Sequence, residues 1–245
     1  MNTSLYFALL LGFGLGVKHA TDADHLVAVT TIVSEQRSLR GSAWVGLLWG
    51  IGHSASLLFA GLLVILLNVT IPASLAHALE FTVALMIVLL GGRLLYTLLR
   101  RGRRVHTHPH VHDGFAHAHI HFHEEDDAHA VSNAVREPFE PSHHHAARFT
   151  GWRSMVVGVV HGLAGSAAVT LLVLSEVVSG GSRALGMAYL LVFGVGSIGG
   201  MVLMSTVISL PLVFTTRRAE SLTQPVQFAV ALLSIGFGMY YAYTL

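Results

Sequence analysis

Six apolar runs, each long enough to cross a bilayer, divide the chain: residues 5–33, 44–67, 75–99, 154–178, 185–210 and 226–245. A spanning helix needs about 20 predominantly apolar residues. Polar or proline-bearing breaks separate the runs at Ser34–Gly41, Asn68–Ser74, Ser179–Arg183 and Pro211–Pro225. The chain is 53% hydrophobic and only 11% charged, where a soluble domain carries about 25% charged residues. These runs predict an all-α integral membrane protein with six transmembrane helices. The N-terminus has neither a basic leader nor a small-residue cleavage site, so the first run is expected to belong to the mature fold rather than to a signal peptide. Net charge is +1, which leaves no global surface for nucleic acid. There is no cysteine, so disulfides and thiolate metal sites are excluded.

The one long interruption, residues 100–150, holds 12 of the 17 histidines and an acidic patch, Glu124–Asp127. With too few apolar residues for a core, it is expected to be a disordered or metal-ordered loop. It divides the chain into residues 1–99, 100–150 and 151–245. The outer two resemble each other. Gly16-Val17-x-His19 matches Gly158-Val159-x-His161, and Trp49-Gly50-Ile51-Gly52 matches Phe193-Gly194-Val195-Gly196. Phe81-x-Val83-Ala84-Leu85, with Gly91 and Tyr96, matches Phe228-x-Val230-Ala231-Leu232, with Gly238 and Tyr243. The three matches fall in order on corresponding runs. Each half has an odd number of spans, so two such halves must sit inverted in the membrane, with a site expected near the midplane.

Arginine sets the expected orientation. Arg37 and Arg40 follow span 1. Arg100, Arg101, Arg103, Arg104, Arg136 and Arg148 follow span 3, and Arg217 and Arg218 follow span 5, against Arg183 on the other side. Both termini are expected outside and the histidine-rich loop in the cytoplasm, in a cell (inner) membrane.

The first span contains a contradiction, the stretch Lys18-His-Ala-Thr-Asp-Ala-Asp-His25. An unpaired charge at a helix centre costs about 2.5–3.5 kcal/mol. Lys18, Asp22 and Asp24 alone would thus cost on the order of 10 kcal/mol, comparable with a domain's whole stability. A divalent cation would offset that cost and give the imidazoles a Lewis acid to bind. In an unbroken helix at 100° per residue, His19, Asp22 and His25 share one face, with Asp24 about 100° from His25. Either Asp24 orients an imidazole from behind, or, as a run of 29 residues favours, the helix unwinds here and brings Asp24 in. Gly12, Gly14 and Gly16 just upstream would ease such a bend. A Lys18–Asp22 salt bridge locking helices together is the structural alternative. It does not require two histidines.

His19-x4-Asp24-His25 resembles the HX4DH signature of the nickel/cobalt transporter (NiCoT) family, and Gly52-His53-Ser54 resembles the family's Gly-His-Ser motif one helix later. The resemblance implies a secondary transporter for Ni²⁺, with Co²⁺ as a further substrate. His19, Asp24 and His25 would recognise the metal and His53 would contribute from span 2. Family members commonly have eight spans and further acidic motifs in later helices. Six spans, and a fourth span with His161 but no carboxylate beside it, resemble the shorter urease-associated nickel permeases and the efflux permeases with histidine-rich loops. Metal-handling partners in urease or hydrogenase maturation, or a cytoplasmic metallochaperone, would fit that branch. The candidate metal residues are therefore His19, Asp22, Asp24, His25, His53 and His161, with Asp22 and Asp24 left as alternatives for direct contact.

Other residues are weaker. His77 and Glu80, at i,i+3 near the outer start of span 3, read as a solvated helix end. Met201 and Met204 read as packing, since thioethers suit Cu(I) rather than a His/Asp set. The loop histidines alternate, His106 to His112 and His117 to His123, which places each quartet on one side of an extended chain. There they could bind, sense or hand over metal. No Walker motif is present, so no nucleotide-driven step is expected, and no H-E-x-x-H supports a metallo-enzyme.

Overall fold

The computed structural model describes residues 2–67, 72–101, 106–112, 115–121, 151–165, 183–218 and 220–245. These form helices α1 (Asn2–His19), α2 (Ala23–Val33), α3 (Leu39–Leu67) and α4 (Ala73–Arg101), strands β1 (His106–His112) and β2 (Phe115–His121), and helices α6 (Arg183–Arg218) and α7 (Glu220–Thr244). Residues 151–165 are helical as well and are called α5. Four of the helices, α3, α4, α6 and α7, are long and apolar enough to cross a membrane. The first expected span is two shorter apolar helices, α1 and α2, interrupted at Ala20–Asp22. The second part of the expected fourth span lies outside the described residues.

Two boundaries differ from the sequence reading. Neither proline of the expected break at Pro211–Pro225 ends a helix, because α6 runs through Pro211 to Arg218 and α7, from Glu220, includes Pro225. Proline removes one ladder hydrogen bond, yet apolar helices keep going because neighbouring groups re-satisfy the freed carbonyl. Within the expected loop, β1 and β2 pair antiparallel with His106 opposite His121, His108 opposite His119 and His110 opposite His117. The fold is helical with this one small ribbon added. Strict alternation and the β-branched residues Thr107, Val111 and Ile120 favour such a pairing.

The distribution of polarity is that of a protein solvated by lipid. Leu10, Phe59, Leu89, Phe214 and Leu233 are exposed, whereas Ser42, Ser197, Ser205, Ser209 and Ser234 are buried with His25, His53 and His161. Helices here associate through small residues and hydrogen bonds, since apolar burial gives little advantage over lipid tails. Helix α3 packs on α6, α4 on α7 and α1 on α6. Ser54 donates to the Gly194 carbonyl at 3.1 Å, and Ser234 donates to the Ile87 carbonyl at 3.0 Å.

Glycines set the closest approaches, and they come in pairs. Gly16 lies on the Phe193 carbonyl and Gly158 on the Trp49 carbonyl. Gly52 lies on the Met155 carbonyl and Gly196 on that of Phe13. Gly91 lies on the Ala231 carbonyl and Gly238 on that of Ala84. Each second contact is the first rewritten in matched residues of the other half. A Cβ at Gly16 or Gly52 would collide with backbone, so neither position accepts a side chain without separating the helices. The upstream glycines therefore do not bend α1 as expected. The helix is continuous through Gly12, Gly14 and Gly16, and Gly12 and Gly16 instead let α6 approach.

Candidate metal centre

Helix α1 ends on His19 in a short turn, with Thr21 N–H bonded to the Lys18 carbonyl at 2.8 Å and Asp22 N–H to that of His19 at 3.1 Å. Asp22 has extended backbone (φ −63°, ψ 148°) and sits at the N-cap of α2. Its carbonyl accepts the Leu26 N–H at 3.0 Å, which restarts the helix. The interruption points the carbonyl end of α1 and the N–H end of α2 at one region. Asp22 and Asp24 stand where the positive end of the α2 dipole favours carboxylates, and broken helices of this kind line polar sites inside membranes.

Four imidazoles converge on the break. His19 and His25 come from its two sides, His53 from the middle of α3 and His161 from α5. Ring centroids are 4.6 Å apart for His19–His25, 5.1 Å for His19–His53, 5.1 Å for His25–His53 and 4.3 Å for His25–His161. His25, His53 and His161 are each 1% exposed or less. His19 Nδ1 meets Asp22 Oδ2 at 2.8 Å, and its Nε2 meets His53 Nε2 at 3.1 Å. Asp24 bridges two histidines, with Oδ1 3.1 Å from His25 Nδ1 and Oδ2 2.8 Å from His161 Nε2. Its Oδ1 also accepts the His25 N–H at 3.0 Å.

All six candidate residues are thus brought into one cluster. Asp22 touches it only through His19 and is half exposed. Asp24 is inside it, with a side chain 23% exposed. The interrupted helix brings Asp24 inward, and Asp24 supplies a carboxylate that the described residues of α5 do not offer His161. Among the described residues Asp22 pairs with His19, and no Lys18–Asp22 ion pair forms. His77 and Glu80 pair with each other at 3.8 Å, on an exposed face.

Three ring nitrogens, His25 Nε2, His53 Nδ1 and His161 Nδ1, are buried with no hydrogen-bond partner among the described residues. Buried polar atoms are normally satisfied, so this concentration of orphans marks a place built for something more than packing. Close nitrogen and oxygen donors without sulfur suit Ni²⁺, Co²⁺, Zn²⁺ or Cu²⁺. The donors fall into two triads whose ligand atoms lie within 4.8 Å of one another: His19, His25 and His53, and Asp24, His25 and His161.

Two features of the surroundings were missed in the sequence. Trp49 lies 5.5 Å from the His25 ring and 5.9 Å from that of His161, and Phe193 lies 5.6 Å from that of His19. Trp49 and Phe193 are matched positions of the two halves, as are His161 and His19, so each matched histidine has a matched aromatic wall. The repeat alignment carried that signal. Gly165 faces His19 and His53, its Cβ position 3.6 Å from His19 Nε2, and nothing in its local sequence distinguished it.

Apolar helices enclosing an imidazole–carboxylate cluster at a helix break define a membrane protein with a candidate cation site. The family model described as high-affinity nickel-transport protein (NicO) matches residues 5–244, and the chain belongs to that family. It is 33% identical over 237 residues to the urease accessory protein UreH of Bacillus sp. (strain TB-90), covering 97% of this chain and 91% of that one. It is also 35% identical over 63 residues to the high-affinity nickel transport protein of Cupriavidus necator, covering 25% of this chain and 18% of that one. No solved structure matches the chain.

Proposed function

We propose that this nickel permease moves Ni²⁺, and Co²⁺ with it, across the cell membrane through the cluster of His19, Asp22, Asp24, His25, His53 and His161. One observation carries the reading: four imidazoles and a bridging carboxylate from α1, α2, α3 and α5 meet at a helix break, with buried ring nitrogens left unpartnered. A carboxylate in lipid is costly unless paired, and a helix interrupted at midspan is the usual way a transporter exposes such groups to an ion. His19, His25, His53, His161 and Asp24 would ligate, and Asp22 would hold the His19 ring in place. The chain is a permease rather than an enzyme. Flux driven by proton or membrane potential fits a sequence without a nucleotide-binding motif.

The reading extends to six spans in two inverted halves, 1–99 and 151–245, with both termini outside and the 100–150 segment in the cytoplasm. The paired glycine contacts support the inversion, because a two-fold relation repeats every contact in matched residues. The relative named as a urease accessory protein and the histidine-rich segment favour a second reading, in which the chain hands metal to a cytoplasmic chaperone or to urease or hydrogenase maturation. In cells, His19→Ala and Asp24→Ala each abolish ⁶³Ni²⁺ accumulation or export, whichever direction the wild type drives. Wild-type flux in both variants sinks the site. Deleting residues 104–147 separates the two readings: retained flux assigns the loop to delivery, and lost flux assigns it to transport.

A further inference from the structure

We infer that the cluster is two alternative ion stations that share His25, so that one ion at a time passes from one triad to the other across a single imidazole. This rests on the proposed reading of the cluster as the ion site and goes beyond it in the number and order of positions.

The donors do not surround one point. His53 and His161 sit on different sides, with rings 6.2 Å apart, whereas each is close to His25. No group of donors among the described residues includes both of them. Nitrogen and oxygen ligands stand about 2.0–2.2 Å from a zinc-sized ion. One ion cannot hold every donor without large side-chain movement, and each triad is compact enough to close on an ion of its own. His19 and His53 already meet at 3.1 Å, and Asp24 and His161 at 2.8 Å.

His25 belongs to both triads, and its chemistry makes them exclusive. A neutral imidazole offers one nitrogen as acceptor and the other as N–H donor, so it ligates one ion at a time. Its Nδ1 faces Asp24 and its Nε2 is buried without a partner. The first station offers three imidazoles, backed by Asp22. The second replaces one imidazole with the carboxylate of Asp24, which compensates an arriving cation better. An ion bound first by His19, His25 and His53 thus has a second, adjacent set of donors that only becomes complete when it releases the first.

Trp49 reports on the cluster directly, because its ring lies beside both His25 and His161. In the full chain carrying Trp44→Phe and Trp152→Phe, Trp49 is the remaining tryptophan, and Ni²⁺ titration should quench it independently of the loop histidines. Mutually exclusive stations have an affinity equal to the sum of the two. His53→Gln and His161→Gln each leave one station working, and the double variant leaves none. The double loss of affinity is therefore expected to exceed the product of the single losses by at least about tenfold. His25→Gln alone should match the double variant, which keeps the test open if the double variant does not fold. Each single variant should bind Ni²⁺ yet lose ⁶³Ni²⁺ flux in proteoliposomes. A double loss equal to the product or smaller overturns the two stations and leaves one composite site standing. Absence of Trp49 quenching in the otherwise wild-type chain overturns both the stations and the site.

Discussion

Asp22 and Asp24 are two residues apart and do different work. Asp24 joins His25 and His161 across the cluster, and Asp22 reaches it only by holding His19. Loss of a group that orients a ligand typically costs about 10–100-fold in metal affinity or activity. Asp22→Asn is expected to lose ⁶³Ni²⁺ flux in proteoliposomes in that range and Asp24→Asn to lose more. Equal losses contradict the division. The six candidate residues were legible because charged groups and histidines in an apolar run have few cheap explanations. The link between Asp24 and His161 was not legible, since nothing in the sequence says which face of α5 turns to the break. Trp49 as a wall was overlooked although its match to Phe193 carried the signal, because an aromatic residue in an apolar helix reads as packing until its neighbours are known.

At the scale of elements, the sequence favoured a broken first span over an intact one but could not place the break. Helical spacing put His19, Asp22 and His25 on one face, an arrangement that holds only if the helix continues. The break falls at Ala20–Asp22, beginning four residues beyond the last glycine of the Gly12–Gly16 series. Those glycines serve the interface with α6, a use that becomes visible only once the partner helix is in place. Gly52 and Gly158 hold α3 and α5 together backbone to backbone, with no room for a Cβ. Overpacking usually costs about 1–3 kcal/mol and sometimes more. Gly52→Leu and Gly158→Leu are expected to lower the midpoint of thermal unfolding in detergent by several degrees or to prevent folding. Gly92→Ala, with open space around it, should leave that midpoint unchanged or slightly raised. A stable Gly158→Leu protein contradicts the packing. Flux should fall with the packing, because the α3–α5 contact sets the positions of His53 and His161.

For the whole molecule, the proposed repeat rests on three weak matches in order and on paired glycine contacts that fall at matched positions. Matched residues touch matched residues across α1, α3, α5 and α6 and again across α4 and α7. In the proposed arrangement of two halves, Asp24 has Ser166 at its matched position and His53 has Ser197, so the set of donors is asymmetric. The chain has no cysteine, which makes topology directly measurable with single-cysteine variants and an impermeant reagent. Ser38→Cys and Arg217→Cys should label from the cytoplasmic face and Ser74→Cys from outside. Labelling of Ser38→Cys and Ser74→Cys from the same side contradicts the six-span inverted arrangement. The central claim, that nickel crosses through the cluster, is tested most directly by ⁶³Ni²⁺ flux into sealed proteoliposomes made with the purified full chain or with its His25→Ala variant. The wild type should equilibrate the tracer, and His25→Ala, in protein that elutes as the wild type does, should fall to the rate of protein-free vesicles. Equal flux in the two preparations would place the path elsewhere.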